Sequence, residues 1–201
     1  MHAFEPLPQN IDNLQSIKKR TDNLKLYPVA ISDRETTVSF RTPPPSSSGT
    51  GKIVIETEAT DSNLIDVQCF PLDKFYDKSS NVRFISIDTE GHEPFVLTGS
   101  VNTIADHRPF IIVEVSPPLL KKYAKSGSRE IHDFFTGNEY FCYKIGRFTL
   151  LPINEECLAD GKSHNWVCIP KESTSKIKGL NRELFLRALV PWYLLKTLPN
   201  R

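Results

Sequence analysis

Apolar and polar positions along the first part of the chain change between the period of a strand and that of a helix. Residues 2–5 have a strand pattern that ends in Glu5. Apolar side chains then recur at helical spacing within residues 11–20, and residues 24–31 alternate again as a second strand, closed by the turn-forming pair Ser32-Asp33. Two strands in series with a helix between them predict a parallel sheet.

The next segment has the pattern of short strands with a low-complexity connection. Residues 36–40 and 52–58 alternate polar and apolar side chains, and residues 43–51 between them consist of proline, serine, glycine and threonine. This pattern predicts a hairpin whose tip is residues 43–51. A further short strand is expected at residues 65–70.

A longer apolar pattern follows in the middle of the chain. Residues 82–88 predict a strand that ends in Asp88, and residues 93–105 predict a helix after it. The run 110–115 is almost continuously β-branched or aromatic, which is typical of a strand covered on both faces. We therefore expect residues 110–115 at the centre of a sheet.

The last third of the chain predicts helices first and strands afterwards. Helices are expected at 119–125 and 129–136, and strands at 140–145, 148–151 and 166–169. Late strands of this kind are often an antiparallel edge on a doubly wound sheet. The tail, 180–198, is apolar on one side, which predicts that it packs against the body of the protein.

Composition narrows the class of protein without naming a partner. The chain has 201 residues and a formal charge of +1, which gives no long-range attraction for nucleic acid or an anionic membrane. Its four cysteines are far apart, and neither they nor His164 match a standard zinc spacing, so we expect free thiols and no metal site. The sequence contains no signal-peptide pattern and no long apolar span, which favours a cytoplasmic protein.

Acidic residues end several of the predicted strands, where ligands bind in open α/β sheets. These residues are Glu5, Asp33, Asp88 and Glu114. A carboxylate such as Glu5 at the end of an early strand can accept hydrogen bonds from both ribose hydroxyls of a nucleotide cofactor. The alternative for Glu5 is an acid that complements the first helix dipole.

Residues 87–93 place Asp88, Glu90, His92 and Glu93 in one turn between a strand and a helix. Converging carboxylates raise at least one pKa, or are neutralised by a cation, and a carboxylate with a raised pKa supports proton abstraction from a hydroxyl. Gly91 permits close backbone approach or a positive φ. For Glu93 alone, a simple complement to the helix N-terminus is the alternative, and His92 ranks below Asp88 as a base.

The order of these segments resembles the FkbM family of methyltransferases over about the first three quarters of the chain. The resemblance is carried by residues 2–6, 29–33, 72–75, 87–93 with Leu97 and Gly99, and 107–109 before Glu114.

The resemblance implies a Rossmann-like class I fold, an α/β doubly wound sheet that is mostly parallel with an antiparallel edge. It also implies transfer of a methyl group from S-adenosylmethionine to a hydroxyl of a sugar, lipid or secondary metabolite. Glu5 then matches the ribose-binding acid, and Ser32 and Asp33 lie where the fold meets adenine. Asp88, Glu90 and Glu93 match the family signature near the methyl-transfer centre.

The sequence departs from the family pattern at its start. In this fold a first strand and a glycine-rich turn precede the strand of Glu5, whereas only Met1 stands before His2. In the family's sheet this strand lies between the strands of Glu5 and Asp88, so a partner or an upstream segment is expected to complete the sheet. We expect a methyltransferase domain at 1–170 and a helical tail at 171–201.

Three functions stay open at this stage. The first is an O-methyltransferase that acts on a small-molecule or glycan acceptor. The second is a binding or regulatory remnant of the same fold, which would not bind the methyl donor. The third is a metal-dependent hydrolase that uses Asp88, Glu90, Glu93 and Glu114.

Overall fold

A computed structural model of the chain describes residues 1–18, 23–41, 52–53, 64–146, 149–177 and 179. Its strands are β1 (His2–Phe4), β2 (Lys25–Tyr27), β3 (Ala30–Ile31), β4 (Thr36–Arg41), β5 (Lys52–Ile53), β6 (Leu64–Phe70), β7 (Phe84–Ile87), β8 (Phe110–Val115), β9 (Tyr140–Ile145), β10 (Leu150–Pro152) and β11 (His164–Pro170). Its α-helices are α1 (Pro8–Lys18), α2 (Glu93–Thr98), α3 (Val101–His107), α4 (Pro117–Leu119), α5 (Ser128–Gly137) and α6 (Glu155–Ala159). Leu72–Lys74 and Lys171–Lys176 form 3₁₀ helices, and Leu120–Ala124 forms a π-helical turn.

The described strands form three sheets, and the fold is the predicted mixed α/β class. The largest has the order β10-β9-β11-β8-β7, a second has the order β3-β6-β4-β5, and β1 pairs with β2 in the third. Parallel pairing joins β1 to β2, β3 to β6 and β7 to β8, and the other pairs are antiparallel. Antiparallel pairing therefore joins more strands than the single antiparallel edge that was predicted for a mostly parallel sheet. The strand 110–115 is β8, which lies inside its sheet as predicted.

The single strand predicted at residues 24–31 is wrong, because the structure divides it into two. β2 pairs with β1, whereas β3 pairs with β6 in a different sheet. Pro28 lies between the two strands and has no backbone N–H with which to continue a ladder. The chain consequently changes sheet at this point.

The predicted hairpin exists but is not the main pairing of its first strand. β4 pairs with β5 through Phe40 and Arg41 only, and it pairs with β6 along its whole length. The tip at 43–51 and residues 54–58 lie outside the described residues, as does the tail from residue 180 onward.

The single helix predicted at residues 93–105 is also wrong, because it breaks into α2 and α3 at Gly99-Ser100. A Cβ atom on Gly99 would lie 1.9 Å from the carbonyl oxygen of Ser32, so the chain needs glycine where these segments touch. The Asp73 carboxylate accepts hydrogen bonds from the backbone N–H groups of Asn102 and Thr103, at 3.0 and 2.7 Å. Asp73, which belongs to the 3₁₀ helix Leu72–Lys74, thus caps the N-terminus of α3.

The main core lies between the five-stranded sheet and helices α2, α3 and α5. Its buried side chains include Leu97, Ile104, Val113, Phe135 and Trp166. Within the described ranges, no helix is long and apolar enough to cross a bilayer. All four cysteines lie in these ranges, and all are free thiols.

Candidate active site

A cavity of about 700 Å³ lies between β1 and β7, the edge strands of two different sheets. This volume is within the range of small-molecule sites, roughly 300–1,000 Å³. The polar residues on its wall include Glu5, Asn10, Asp88, Glu90 and His92. The cavity therefore brings together the ends of two strands that are more than 80 residues apart in the chain.

Glu5 follows β1 directly and is held in place by local contacts. One carboxylate oxygen accepts a hydrogen bond from the Leu7 N–H at 2.8 Å, and the other accepts one from the Asn10 side-chain amide at 3.2 Å. A carboxylate has about four acceptor positions, so both oxygens can accept further hydrogen bonds. Glu5 is thus a fixed acceptor on the cavity wall, and it also contacts the start of α1.

Asp88 follows β7 and Glu114 is the penultimate residue of β8, so the parallel pairing of the two strands places their carboxyl groups close together. Partial burial and the neighbouring Asp88 charge raise the pKa of Glu114 to about 7, and Glu90 and Glu93 add to the shift. Glu114 is consequently partly protonated near neutral pH. Such a pair can accept a proton from a hydroxyl.

The turn after Asp88 has the backbone conformation that Gly91 predicted. Glu90 has φ of 55° and Gly91 has φ of 102°, both in the left-handed region. A Cβ atom on Gly91 would lie 2.8 Å from the carbonyl oxygen of Leu119. The turn therefore depends on glycine for its dihedral angles and for its close approach to the neighbouring segment.

Glu93 lies inside the protein, beneath the turn that carries Asp88 and Glu90. It is 1% exposed, and its Oε1 accepts hydrogen bonds from the backbone N–H groups of Thr89 and Gly91 and from the Thr89 hydroxyl, at 3.0 to 3.2 Å. Its Oε2 is buried and has no hydrogen-bond partner within the described part of the chain. Glu93 holds the shape of the turn, and it is not on the cavity wall with Glu90.

Ser32 and Asp33 form a turn next to His92. Ser32 is buried. Its hydroxyl donates to Asp33 Oδ1 at 3.1 Å, and the same hydroxyl oxygen lies 3.0 Å from His92 Nε2. His92 also stacks on Phe95 at 4.5 Å between ring centroids. Burial lowers the pKa of His92 to about 4, although the nearby Asp33 acts in the opposite direction. His92 is therefore neutral at pH 7 and joins this turn to the Asp88 loop.

The structure shows two contacts between candidate residues that were not predicted from the sequence. The sequence identified Glu114 as a strand-end acid and as one residue of the alternative hydrolase, but its position beside Asp88 follows from the adjacency of β7 and β8. No sequence signal identifies the contact of His92 with Ser32, because the two residues are 60 positions apart. Among the described residues, no group of three or more histidine, cysteine or acidic residues is arranged to hold a metal ion.

Comparison with known proteins gives one family match and one similar solved structure. The model of the methyltransferase FkbM domain matches residues 1–141. The methyltransferase FkbM from Methylobacillus flagellatus KT is similar in structure at 16% sequence identity and a TM-score of 0.48, over 83% of this chain and 36% of that chain. This chain therefore spans about a third of that protein's length. No curated protein matches the sequence.

Proposed function

This chain belongs to the family of FkbM methyltransferases, and from this premise we propose that it takes part in methyl transfer from S-adenosylmethionine to a hydroxyl group of a small-molecule or glycan acceptor. The observation that carries the proposal is the cavity between β1 and β7. It has a fixed carboxylate, Glu5, at the end of one strand and the Asp88 carboxylate at the end of the other, and Asp88 lies beside Glu114 of β8.

The residues of the cavity fit the nucleoside half of S-adenosylmethionine. Glu5 has free acceptor positions for the two ribose hydroxyls, and its contacts with Leu7 and Asn10 hold it in one orientation. Ser32 and Asp33 do not line the cavity, but their turn contacts His92, which does. We propose that this turn lies beside the adenine ring, behind His92. We assign no residue to the methionine carboxylate.

S-adenosylmethionine supplies an electrophilic methyl group, so the protein must orient the acceptor hydroxyl and remove its proton. We propose Asp88 and Glu114 for that step, because Asp88 lines the cavity and the raised pKa of Glu114 beside it lets that carboxylate take up a proton near neutral pH. The acceptor oxygen gains the methyl group, and its proton passes to the pair. The bond between methyl carbon and sulfur breaks at the same time.

Glu90 and Glu93 have different proposed roles in this scheme. Glu90 lies on the cavity wall, where it can touch the acceptor. Glu93 is buried, and its hydrogen bonds to Thr89 and Gly91 fix the turn that presents Asp88. We therefore propose Glu90 as a contact residue and Glu93 as a positioning residue. We also propose that the catalytic domain ends near residue 170, where β11 ends.

Isothermal titration calorimetry with S-adenosylhomocysteine tests the cofactor part of the proposal on the chain of residues 1–201. We expect saturable binding, and we expect Glu5→Gln to weaken it about tenfold, because the neutral amide loses charge-assisted hydrogen bonds to the ribose. Glu156→Gln is the matched control, since Glu156 is exposed on α6.

The calorimetric outcomes separate the proposed function from a regulatory remnant of the fold. Absence of heat with a folded wild-type chain would support the remnant. Binding that Glu5→Gln leaves unchanged would contradict the ribose contact alone.

A further inference from the structure

Two cysteines lie opposite each other in the antiparallel part of the five-stranded sheet. Cys142 of β9 is the register partner of Cys168 of β11. The Cys168 thiol donates to Cys142 with 3.3 Å between the two Sγ atoms, and the residues are 7% and 0% exposed. The two cysteines are 26 positions apart in the chain, so only the pairing of β9 with β11 brings them together.

The hydrogen bonds of this ladder show which kind of antiparallel pair the cysteines form. Lys171 N–H donates to Glu139 C=O at 3.0 Å, and these two residues continue the register of β11 and β9 by one position. Pairs with and without backbone hydrogen bonds alternate along an antiparallel ladder. Three positions further along, Cys142 and Cys168 therefore form a pair without backbone hydrogen bonds between them.

A second hydrogen bond leads to the same assignment. Ile153 N–H donates to Cys142 C=O at 3.1 Å, so Cys142 directs its backbone groups toward the β10 side of β9 and away from β11. In a pair of this kind the Cα atoms are about 4.5 Å apart and the side chains are at their closest. This separation is within the range of disulfides, roughly 4.4–6.8 Å, so a bond between the two sulfurs requires no change of register.

Burial determines when these thiols react. Burial and the neighbouring Cys142 thiol raise the pKa of Cys168 well above its usual value, and the thiolate is the form that attacks a disulfide. A reagent in solution therefore reaches the pair when β9 and β11 separate transiently, during folding or local opening. The same burial protects a bond between the two sulfurs once it has formed, because a reductant has to enter by the same route.

We propose that Cys142 and Cys168 are a site of covalent modification, at which a low-molecular-weight disulfide oxidises the two thiols to a disulfide that links β9 to β11. The first cysteine thiolate attacks the reagent, which forms a mixed disulfide and releases one reagent thiol. The second cysteine thiolate then attacks the mixed disulfide and releases the other reagent thiol. The two electrons reduce the sulfur–sulfur bond of the reagent, and the two cysteine protons end on the reagent thiols.

The other two cysteines lie in different surroundings. Cys69 belongs to β6 of the four-stranded sheet, where its register partners are Ala30 and Thr36, and Cys157 belongs to α6. Neither is opposite a cysteine in a strand pair. Cys142 and Cys168 do not line the cavity between β1 and β7, so this site is separate from the proposed function.

The probe is a mixture of reduced and oxidised glutathione, added to the reduced, folded chain of residues 1–201. Urea is present at a concentration that leaves the far-ultraviolet circular dichroism unchanged but makes local opening more frequent. When the products no longer change, the remaining thiols are alkylated under denaturing conditions. Mass spectrometry of tryptic peptides without reduction then identifies the links. We expect one link between cysteines in most molecules, from Cys142 to Cys168.

Thermal unfolding measures what the link does to the fold. The linked chain should unfold about 5–10 °C above the reduced chain, because the bond closes the loop of residues 142–168 in the unfolded state. Cys142→Ala should remove both the link and the difference between the oxidised and reduced preparations. Cys157→Ala is the matched control, and it should keep both.

Three results would overturn the proposal. Recovery of Cys142 and Cys168 as free thiols, or with glutathione attached and no link, would mean that the two side chains only pack in the core. Links spread over all four cysteines would mean that the unfolded chain reacts and that the fold selects no pair. A linked chain that unfolds at or below the temperature of the reduced chain would mean that the strand pair does not accommodate the bond.

Discussion

At the scale of single residues, the raised pKa of Glu114 beside Asp88 is the property on which the proposed chemistry depends. Each residue ends its own strand, and only the parallel pairing of β7 with β8 brings their carboxyl groups together. A lone strand-end carboxylate is a weak base at pH 7, because its pKa is usually near 4. The pairing is therefore what makes proton uptake near neutrality possible.

Replacement of Asp88 tests this pair directly. Asp88→Asn should lower methyl transfer at least a hundredfold, because it removes one carboxylate, and it should leave the far-ultraviolet circular dichroism unchanged. In the unaltered protein the rate should rise with pH through about 7, as Glu114 loses its proton. Asp12→Asn, on the exposed face of α1, is the control.

The measurement is radiolabelled methyl transfer to a panel of hydroxylated acceptors, made on any preparation of the protein that turns over one of them. Turnover that Asp88→Asn leaves unchanged would show that the proton goes elsewhere.

A second prediction at the scale of residues concerns the contribution of His92 to the free energy of unfolding. Its pKa is about 4 in the folded protein and 6.5 when unperturbed, so the folded state binds fewer protons than the unfolded state between these values. The contribution of His92 to the free energy of unfolding is thus complete above pH 6.5 and is lost as pH falls toward 4. This loss is on the order of 3 kcal/mol.

Urea unfolding of the unaltered chain and of His92→Gln, at pH 4 and pH 8, measures this loss. The free energy of unfolding should fall less for His92→Gln between the two pH values. The opposing contribution of Glu114 is present in both proteins and cancels in the difference. Equal falls in both proteins would contradict the burial of a neutral imidazole.

At the scale of elements, contacts between distant segments decide where helices and strands end. The periodicity of residues 93–105 is helical throughout, yet the helix breaks where Gly99 meets Ser32. Asp73, from a 3₁₀ turn, then supplies the acceptors that begin α3. Residues 24–31 are divided for a similar reason. Pro28 ends the pairing of β2 with β1, and β3 then pairs with β6.

Gly99→Ala should destabilise the protein by about 2–3 kcal/mol, because the new Cβ would lie 1.9 Å from the Ser32 carbonyl oxygen and the backbone would have to move. Gly137→Ala is the matched control, since Gly137 ends α5 and a Cβ there meets no atom within 4 Å among the described residues. The control should be neutral or stabilising by about 0.5 kcal/mol. Thermal unfolding of both variants measures the difference, and equal melting temperatures would contradict the close approach.

At the scale of the whole molecule, a few charged side chains join helices and strands that are far apart in the chain. Arg108 follows α3 in a left-handed conformation, with φ of 50°. Its guanidinium donates to the backbone carbonyls of Asn138 and Glu139 and to the Glu172 carboxylate, at 2.7 to 3.1 Å, and it lies over the Tyr140 ring. Arg108 thus joins α3, the turn before β9 and the 3₁₀ helix after β11.

Arg108→Ala should lower the free energy of unfolding by about 2–3 kcal/mol, because it leaves two carbonyl groups without their charged donor. Arg129→Ala should cost less than about 1 kcal/mol, since Arg129 makes a surface ion pair with Glu155 alone among charged groups in the described residues. Chemical unfolding of the two variants gives both values. Similar losses for both would mean that Arg108 acts as an ordinary surface arginine.

The sequence by itself determined the type of most elements and the family to which the chain belongs. Periodicity identified α1, β7, β8 and β9, and the ordered strand-end motifs pointed to the family that matches residues 1–141. The acidic residues Glu5 and Asp88 were placed at strand ends by the same reasoning. These features are local, because each one depends on neighbours within a few positions of the chain.

Only the tertiary structure decided how these elements meet. It placed Asp88 beside Glu114, buried Glu93 beneath the turn that it holds, and formed a cavity between β1 and β7. Helix α6 was not predicted from the sequence, since its five residues are too few to show a helical period. Asn154 caps its N-terminus. The physical reason is the same in each case: burial, charge coupling and sheet order depend on residues far apart in the chain, and a local pattern does not record which of them come together.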